Sequence, residues 1–122
     1  MPRVLVVDDE PGVAAILATI LEDAGYQVAT AIDGQQGLRQ LAQTPADAVF
    51  LDFMMPVLDG PGMFQSMRAQ PAWKAIPVIV MSSLPEDAIA ARLRGHAAFL
   101  RKPFRVSLVL QTLERALRQP RP

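Results

Sequence analysis

Short apolar runs alternate along the chain with longer segments in which apolar residues recur every three or four positions. Three of the runs are continuous and rich in β-branched residues, which is typical of strands buried on both faces of a parallel sheet. Two weaker runs predict strands nearer the edges of that sheet. The five predicted strands lie at residues 4–7, 26–31, 48–51, 77–81 and 97–100.

The segments after these runs have the spacing of amphipathic helices. The first has Val13, Ile16, Leu17, Ile20 and Leu21 on one stripe and ends before Gly25. The second is capped by Asp33, includes Leu38 and Leu41, and ends before Pro45. The third spans Gly60 to Ala69, the fourth Pro85 to Leu93, and the fifth includes Val106, Val109, Leu110, Leu113 and Leu117.

Five strand–helix units in strict alternation predict an α/β fold with right-handed crossovers. For five units we expect a flavodoxin-like three-layer sandwich, in which a five-stranded parallel sheet of order 2-1-3-4-5 is flanked by five helices. A length of 122 residues suits one domain, here residues 1–119. The proline-rich residues 120–122 are interpreted as a tail or the start of a linker.

Composition narrows the class of protein. Twelve basic and twelve acidic residues balance to zero net charge, which argues against direct binding of nucleic acid by this domain. The absence of cysteine excludes disulfides and thiolate chemistry and is compatible with a reducing cytoplasm. No apolar stretch approaches the roughly 20 residues that a membrane span needs. We therefore expect a cytoplasmic domain that does not insert into a membrane.

Polar side chains follow four of the predicted strands at the point where each strand ends. Because the carboxyl ends of parallel strands meet at one edge of a sheet, these side chains are expected to share one crevice. They are Asp8 and Asp9 after the first strand, Asp52 after the third, Ser82 and Ser83 after the fourth, and Lys102 after the fifth.

Three converging carboxylates repel each other, and a divalent cation relieves that repulsion. The available ligands are oxygens, so Mg²⁺, or alternatively Mn²⁺, is favoured over zinc. A phosphoryl group suits such a site, since a hydroxyl and a lysine are available for its remaining oxygens. One carboxylate can then act as a nucleophile and form an aspartyl phosphate.

Four motifs together resemble the receiver domain of two-component response regulators, the chemotaxis response regulators among them. The resemblance covers essentially the whole chain in the family's order and spacing. The motifs are Val-Leu-Val-Val-Asp8-Asp9-Glu10-Pro11, Asp52-Phe-Met-Met-Pro56-Val-Leu-Asp59-Gly60, Met81-Ser82-Ser83 and Phe99-Leu-Arg-Lys102-Pro103-Phe104.

The resemblance implies a role for each residue of the crevice. Asp52 corresponds to the acceptor of a phosphoryl group from a histidine kinase, a phosphotransfer protein or a small phosphodonor. Asp9, Asp52 and the backbone carbonyl of Met54 correspond to direct Mg²⁺ ligands, and Asp8 assists through a water. Lys102 corresponds to the lysine that binds phosphoryl oxygens, and a cis peptide is expected between Lys102 and the proline that follows it.

The resemblance also implies a conformational switch. Ser82 corresponds to the hydroxyl that turns toward the phosphoryl group, and Phe99, at a position where many relatives have tyrosine, to the aromatic that moves inward with it. Their movement would reshape the face made by the fourth helix, fifth strand and fifth helix. That face would bind a downstream protein or a fused output domain. Such a protein is a signalling switch and not a turnover enzyme.

Three alternative functions are less compatible with the sequence. A pseudo-receiver acts as an interaction module without phosphorylation and typically lacks one or more of the acidic pair, the acceptor and the lysine. All of these residues are present in this chain. An aspartate-dependent phosphohydrolase usually has a second aspartate two residues after its nucleophile, where this chain has Met54. A flavodoxin-type cofactor carrier needs a phosphate loop after the first strand, and Asp8-Asp9-Glu10-Pro11 stands there instead.

Overall fold

Five strands alternate with five helices in the computed structural model, which describes residues 2–119. The predicted tail, residues 120–122, lies outside the described residues. The strands are β1 (Arg3–Val7), β2 (Gln27–Ala31), β3 (Ala48–Asp52), β4 (Val78–Ser82) and β5 (Ala98–Arg101). The helices are α1 (Pro11–Asp23), α2 (Gly34–Gln43), α3 (Gly60–Ala69), α4 (Glu86–Ala90) and α5 (Val106–Arg118).

The strands form one parallel sheet in the order β2-β1-β3-β4-β5, which confirms the predicted flavodoxin-like topology. The chain moves outward from β1 to β2 and then crosses back to β3, so the carboxyl ends of β1 and β3 lie side by side at the reversal point. The pairing of Asp52 with Met81, and of Ser82 with Arg101, brings the ends of β3, β4 and β5 to the same edge.

The helices cover both faces of the sheet, and each face has its own apolar core. On one face, Leu17 and Leu21 of α1 and Leu113 of α5 pack against alternate side chains of the central strands. On the other face, α2, α3 and α4 pack against the remaining strand side chains, with Met63 and Met67 fully enclosed. Each such side chain stabilises the fold by about 1.5–3 kcal/mol through its removal from water. This double burial explains why the central strands are continuous apolar runs.

Three details of the helices differ from the sequence prediction. The helix predicted from Pro85 to Leu93 is shorter, Glu86–Ala90, because only two of its side chains, Ile89 and Leu93, are buried and packing provides little support for further turns. Ile16 and Val106, assigned to apolar stripes, are 58% and 56% exposed.

No helix within residues 2–119 combines the length and apolar character needed to cross a membrane.

Two aspartates begin helices as their sequence context predicts. The side chain of Asp33 accepts a hydrogen bond from the backbone N–H of Gln36 at 2.8 Å, at the start of α2. The side chain of Asp59 accepts one from the N–H of Gly62 at 2.9 Å, at the start of α3. Each bond satisfies a helix N–H that has no partner within the helix. The cap formed by Asp59 fixes the point at which α3 begins after the loop that follows Asp52.

Gly60 lets α3 begin against the end of β3. Its backbone N–H donates to the carbonyl of Phe53 at 3.0 Å. A Cβ at this position would lie 2.5 Å from the carbonyl oxygen of Asp52 and 2.8 Å from the Cα of Phe53. Both neighbours are backbone atoms and cannot turn aside, so only glycine allows this approach.

We expect Gly60→Ala to lower the free energy of unfolding by about 2–3 kcal/mol, because the added methyl must displace backbone next to Asp52. Gly12→Ala is the matched control, since nothing lies within 4 Å of its Cβ position and alanine favours the helical state. Urea denaturation of both variants measures the difference. Equal stabilities for the two variants would contradict the proposed backbone clash.

Candidate functional site

Asp8 stands directly after β1 and is fully buried. Its backbone N–H donates to the carbonyl of Ala31 at 3.0 Å, which extends the pairing of β1 with β2 by one residue. Its Oδ1 accepts a hydrogen bond from the N–H of Glu10 at 2.9 Å. The strand and the turn thus hold this carboxylate in one orientation at the sheet edge.

Asp52 is the last residue of β3 and is only 6% exposed. The adjacent N–H of Phe53 donates to the carbonyl of Met81 at 2.9 Å, so the sheet pairing continues past the carboxylate and fixes its backbone. Carboxylate oxygens of Asp8, Asp9, Glu10 and Asp52 all lie within 4.8 Å of one another. The acidic residues predicted to converge do so, and Glu10 joins them.

Lys102, the residue directly after β5, extends its side chain into this acidic cluster. Its Nζ lies 2.8 Å from Oδ2 of Asp8, 3.5 Å from Oδ1 of Asp52 and 3.4 Å from Oε1 of Glu10. Its backbone N–H donates to the carbonyl of Ser82 at 2.9 Å, which ties the lysine to the end of β4. The peptide bond from Lys102 to Pro103 is cis, as expected.

The electrostatics of the cluster are unbalanced. Two carboxylates 4.8 Å apart repel by about 3 kcal/mol at an effective dielectric constant of about 20. Burial, followed by the charge of Asp8, raises the pKa of Asp52 from 3.8 to about 7, although Lys102 opposes the shift. Burial lowers the pKa of Lys102, but its hydrogen bond to Asp8 and the nearby carboxylates outweigh burial and raise it. One ammonium therefore does not neutralise the surrounding carboxylates.

This donor set fits a hard divalent cation. The converging side-chain groups are carboxylates, and Asp9 and Glu10 are exposed, so one side of the cluster is open to solvent and to a ligand. Oxygen ligands with an open position are what Mg²⁺ prefers in proteins. Asp9 and Met54 both line a cleft of about 350 Å³ beside the cluster, and the Met54 side chain is 64% exposed.

Ser82 and Phe99 lie on neighbouring strands near the cluster. Ser82 ends β4, is 4% exposed, and its Oγ accepts a hydrogen bond from the N–H of Leu84 at 3.0 Å. Phe99 is half-buried within β5 and packs on the core that α2, α3 and α4 cover. Ser82 pairs with Arg101 and Phe99 pairs with Val80, so the hydroxyl and the aromatic side chain lie on adjacent strands, two residues apart in register.

Two contacts of the site were missed by the sequence reasoning. Glu10 was not among the predicted site residues, yet its carboxylate contacts Lys102. The guanidinium of Arg92 lies 5.3 Å from the ring centre of Phe53 and 3.5 Å from Oδ2 of Asp59, joining the segment after α4 to the loop after Asp52. The position of Glu10 beside Asp8-Asp9 was a usable signal, whereas nothing in the sequence connects Arg92 to residues 53 and 59.

We expect Asp52→Asn to stabilise the metal-free protein at pH 8 and to have little effect at pH 4. Folded Asp52 retains its proton to about pH 7, whereas the carboxyl in the unfolded chain loses it near 3.8. Between these values the folded state binds more protons, so ionisation of Asp52 destabilises the fold as the pH rises. The gain at pH 8 should be about 1–2 kcal/mol, less than the full shift implies because solvent screens the open side.

Chemical denaturation in EDTA at the two pH values measures this effect. Asp23→Asn, an exposed position at the end of α1, is the control and should change stability by less than about 0.5 kcal/mol at either pH. A gain from Asp52→Asn that is the same at pH 4 and pH 8 would show that ionisation of this carboxyl is not its cause.

Comparisons with known proteins agree with this geometry. A sequence model described as "Response regulator receiver domain" matches residues 4–114. The transcriptional regulatory protein PrrA of Mycobacterium leprae is 40% identical over 120 residues, covering 97% of this chain and 51% of PrrA. Protein PilG of Pseudomonas aeruginosa is 36% identical over 104 residues, covering 84% of this chain and 77% of PilG. The chain thus spans about half the length of PrrA.

Solved structures show the same architecture. A putative response regulator from Chloroflexus aurantiacus superposes with a TM-score of 0.90 at 28% identity, covering 97% of this chain and 98% of that one. The chemotaxis response regulator CheY4 of Vibrio cholerae superposes with a TM-score of 0.88 at 32% identity, covering 95% of this chain and 98% of that one. The fold, the family match and the acidic cluster support one conclusion: this chain belongs to the receiver domain family of two-component response regulators.

Proposed function

We propose that this domain is a phosphorylation-dependent switch whose phosphoacceptor is Asp52. The observation that best supports this role is the position of Asp52, almost buried at the end of β3 and 3.5 Å from the ammonium of Lys102. At that position the Lys102 ammonium could pair with an incoming phosphoryl group, and the neighbouring carboxylates could hold a metal ion. The receiver domain is assigned to residues 1–119, within the cytoplasm.

Mg²⁺, or Mn²⁺ in its place, would be held by Asp9, Asp52 and the backbone carbonyl of Met54, with Asp8 assisting through a water. When bound, the ion neutralises carboxylate charge and the negative charge of the transferring phosphoryl group. An oxygen of Asp52 attacks phosphorus, and the bond from phosphorus to the donor breaks. The donor nitrogen of a phosphohistidine, or the carboxylate oxygen of acetyl phosphate, leaves with the bonding electrons.

Lys102 and Ser82 receive the transferred group in this scheme. The ammonium of Lys102 already lies beside Asp52 and would pair with a phosphoryl oxygen. The Ser82 hydroxyl would exchange its present hydrogen bond with the Leu84 N–H for one to another phosphoryl oxygen. Phe99, on the neighbouring strand, would then move inward and reshape the α4–β5–α5 face.

The donor is proposed to be a histidine kinase or a phosphotransfer protein, and the reshaped face to bind a downstream protein or an output domain. PrrA, named as a transcriptional regulatory protein, is about twice as long as the part that this chain matches. A linked output domain is therefore one of the two arrangements to test. The domain modifies itself and does not turn over a substrate.

A phosphorylation-independent interaction module is the alternative. It would have no use for a buried acceptor whose pKa is raised by burial and neighbouring charge. It would also have no use for a lysine that contacts three separate carboxylates. Retention of the acidic cluster together with Lys102 supports the phosphorylated switch.

Incubation with acetyl phosphate and Mg²⁺ tests the proposal directly. We expect intact-protein mass spectrometry to show one phosphoryl adduct on the native protein. The adduct should be absent from Asp52→Asn and from a sample treated with EDTA. An adduct that persists in Asp52→Asn would place the acceptor elsewhere. No adduct on the native protein, with Mg²⁺ binding shown separately, would favour the interaction module.

We expect Met54→Asn to shorten the lifetime of the phosphorylated form by about threefold, less than 1 kcal/mol in barrier. Met54 lies two residues beyond Asp52, and its thioether side chain cannot position an attacking water, whereas an amide can. Ile32→Asn, after β2 at the same edge of the sheet, is the control, because Ile32 is 53% exposed and outside the cluster. Decay of the adduct after removal of acetyl phosphate measures both rates, and an unchanged rate for Met54→Asn would exclude this shielding role.

A further inference from the structure

A cleft of about 280 Å³ lies at the amino edge of the sheet, opposite the edge at which Asp52 lies. It is formed by the last turn of α3, the loop before β4, the residues before β5 and the end of α5. Among the described residues that line it, three are basic and none is acidic. The residues used below are Arg68, Lys74, Gly95 and His96.

Arg68 is held in place by both loops that border the cleft. Its Nη1 donates to the carbonyl of Lys74 at 2.8 Å, and its Nη2 donates to the carbonyl of Gly95. Gly95 has a φ of 87°, and a Cβ there would lie 3.1 Å from Nη2, so glycine leaves room for this contact. A guanidinium has five N–H donors, so three remain for another acceptor after these two bonds.

The positive charge around the cleft exceeds the negative charge of the helix ends beside it. The carboxyl ends of α3 and α5 each have a partial negative charge of about half an electron. Arg68 in the last turn of α3, with Arg115 and Arg118 in the last turn of α5, offsets these two ends. Lys74 is exposed and forms no ion pair within residues 2–119. Its charge is therefore available to a ligand.

His96, the single histidine of the chain, adds a group whose charge depends on pH. Its Nδ1 is shielded from solvent and makes no hydrogen bond to any described residue. Burial lowers the pKa of His96, Glu86 on α4 raises it, and Arg68 on α3 lowers it, with a net decrease. A negative charge in the cleft would act in the opposite direction to burial and Arg68, because it favours the protonated ring.

We propose that this cleft binds a small doubly charged oxyanion, a phosphate ester or a dicarboxylate, between Arg68, Lys74 and His96. Guanidinium and ammonium groups form short, charge-assisted hydrogen bonds to the oxygens of both. Because a water molecule takes about 30 Å³, the cleft has room for about nine non-hydrogen atoms, too few for a nucleotide. The site does not rest on the proposed phosphorylation, since Asp52 lies at the opposite edge of the sheet.

The NMR signal of the single imidazole reports directly on this cleft. Sulfate is the probe, because it stays doubly charged while His96 titrates. We expect the pKa of His96 to be about one pH unit higher in saturating sodium sulfate than in sodium chloride of equal ionic strength, because the bound dianion stabilises the imidazolium. EDTA is present throughout, so that no metal ion can bind sulfate beside Asp52.

Two variants test whether the anion lies in the cleft. At pH 6, Lys74→Gln should weaken sulfate binding about fivefold, measured from the shift of the same imidazole signal. Arg39→Gln is the matched control: Arg39 is exposed on α2, and its substitution removes one positive charge, as Lys74→Gln does. The control should change the Kd by less than about twofold.

Methyl phosphate and succinate distinguish the two classes of ligand. They are compared at pH 7.5, where both are doubly charged. Saturable binding of either one, weakened by Lys74→Gln, would support the site, and the tighter of the two would identify the class.

Three results would overturn the proposal. A pKa of His96 that is the same in sulfate and in chloride would show that no anion binds beside the ring. Equal weakening by Arg39→Gln and Lys74→Gln would indicate attraction to overall charge only. A signal that shifts without saturation up to about 100 mM sulfate would indicate affinity too weak for a formed site.

Discussion

The crowding of four carboxylates around the single ammonium of Lys102 is the constraint on which the rest of the site depends. Asp8 and Asp52 are almost fully buried, and their neighbours lie within 4.8 Å, so the cluster has more negative charge than one lysine can offset. The remaining repulsion raises the pKa of Asp52 and favours a divalent cation. The proposed affinity for a metal ion and the proposed role of Asp52 as phosphoacceptor would thus have one physical cause.

The fold maintains this crowding by rigid means. The cluster residues lie at the carboxyl ends of β1, β3 and β5 or directly after them, and the pairing with neighbouring strands fixes the backbone at each end. Gly60 brings α3 against the carbonyl of Asp52, and Asp59 caps that helix. Val57, in the loop between β3 and α3, adopts a φ of 68°, a conformation that costs a β-branched residue about 1–2 kcal/mol. Burial on both faces of the sheet opposes the repulsion and the strain.

Most of the sheet and the centre of the site could be predicted because each depends on local pattern. Buried strands are recognised as continuous apolar runs. Because residues at the carboxyl ends of parallel strands share one edge of the sheet, the sequence alone predicted that Asp8, Asp52 and Lys102 lie close together. The length of α4 could not be predicted, since it depends on how few of its side chains find a packing surface. The contact of Arg92 with Phe53 is set by tertiary packing between segments far apart in the chain.

Proton release on metal binding tests the central claim most directly. Titration of the protein with Mg²⁺ near pH 6.5 should release about three-quarters of a proton per ion, because Asp52, with a pKa of about 7, is largely protonated there without metal. The release should fall toward zero by about pH 8.5 and be much reduced in Asp52→Asn. Calorimetric titration in buffers of different ionisation enthalpy counts the protons. Mg²⁺ binding with no proton release at pH 6.5 would contradict the account, since Asp52 would then already be ionised without the ion.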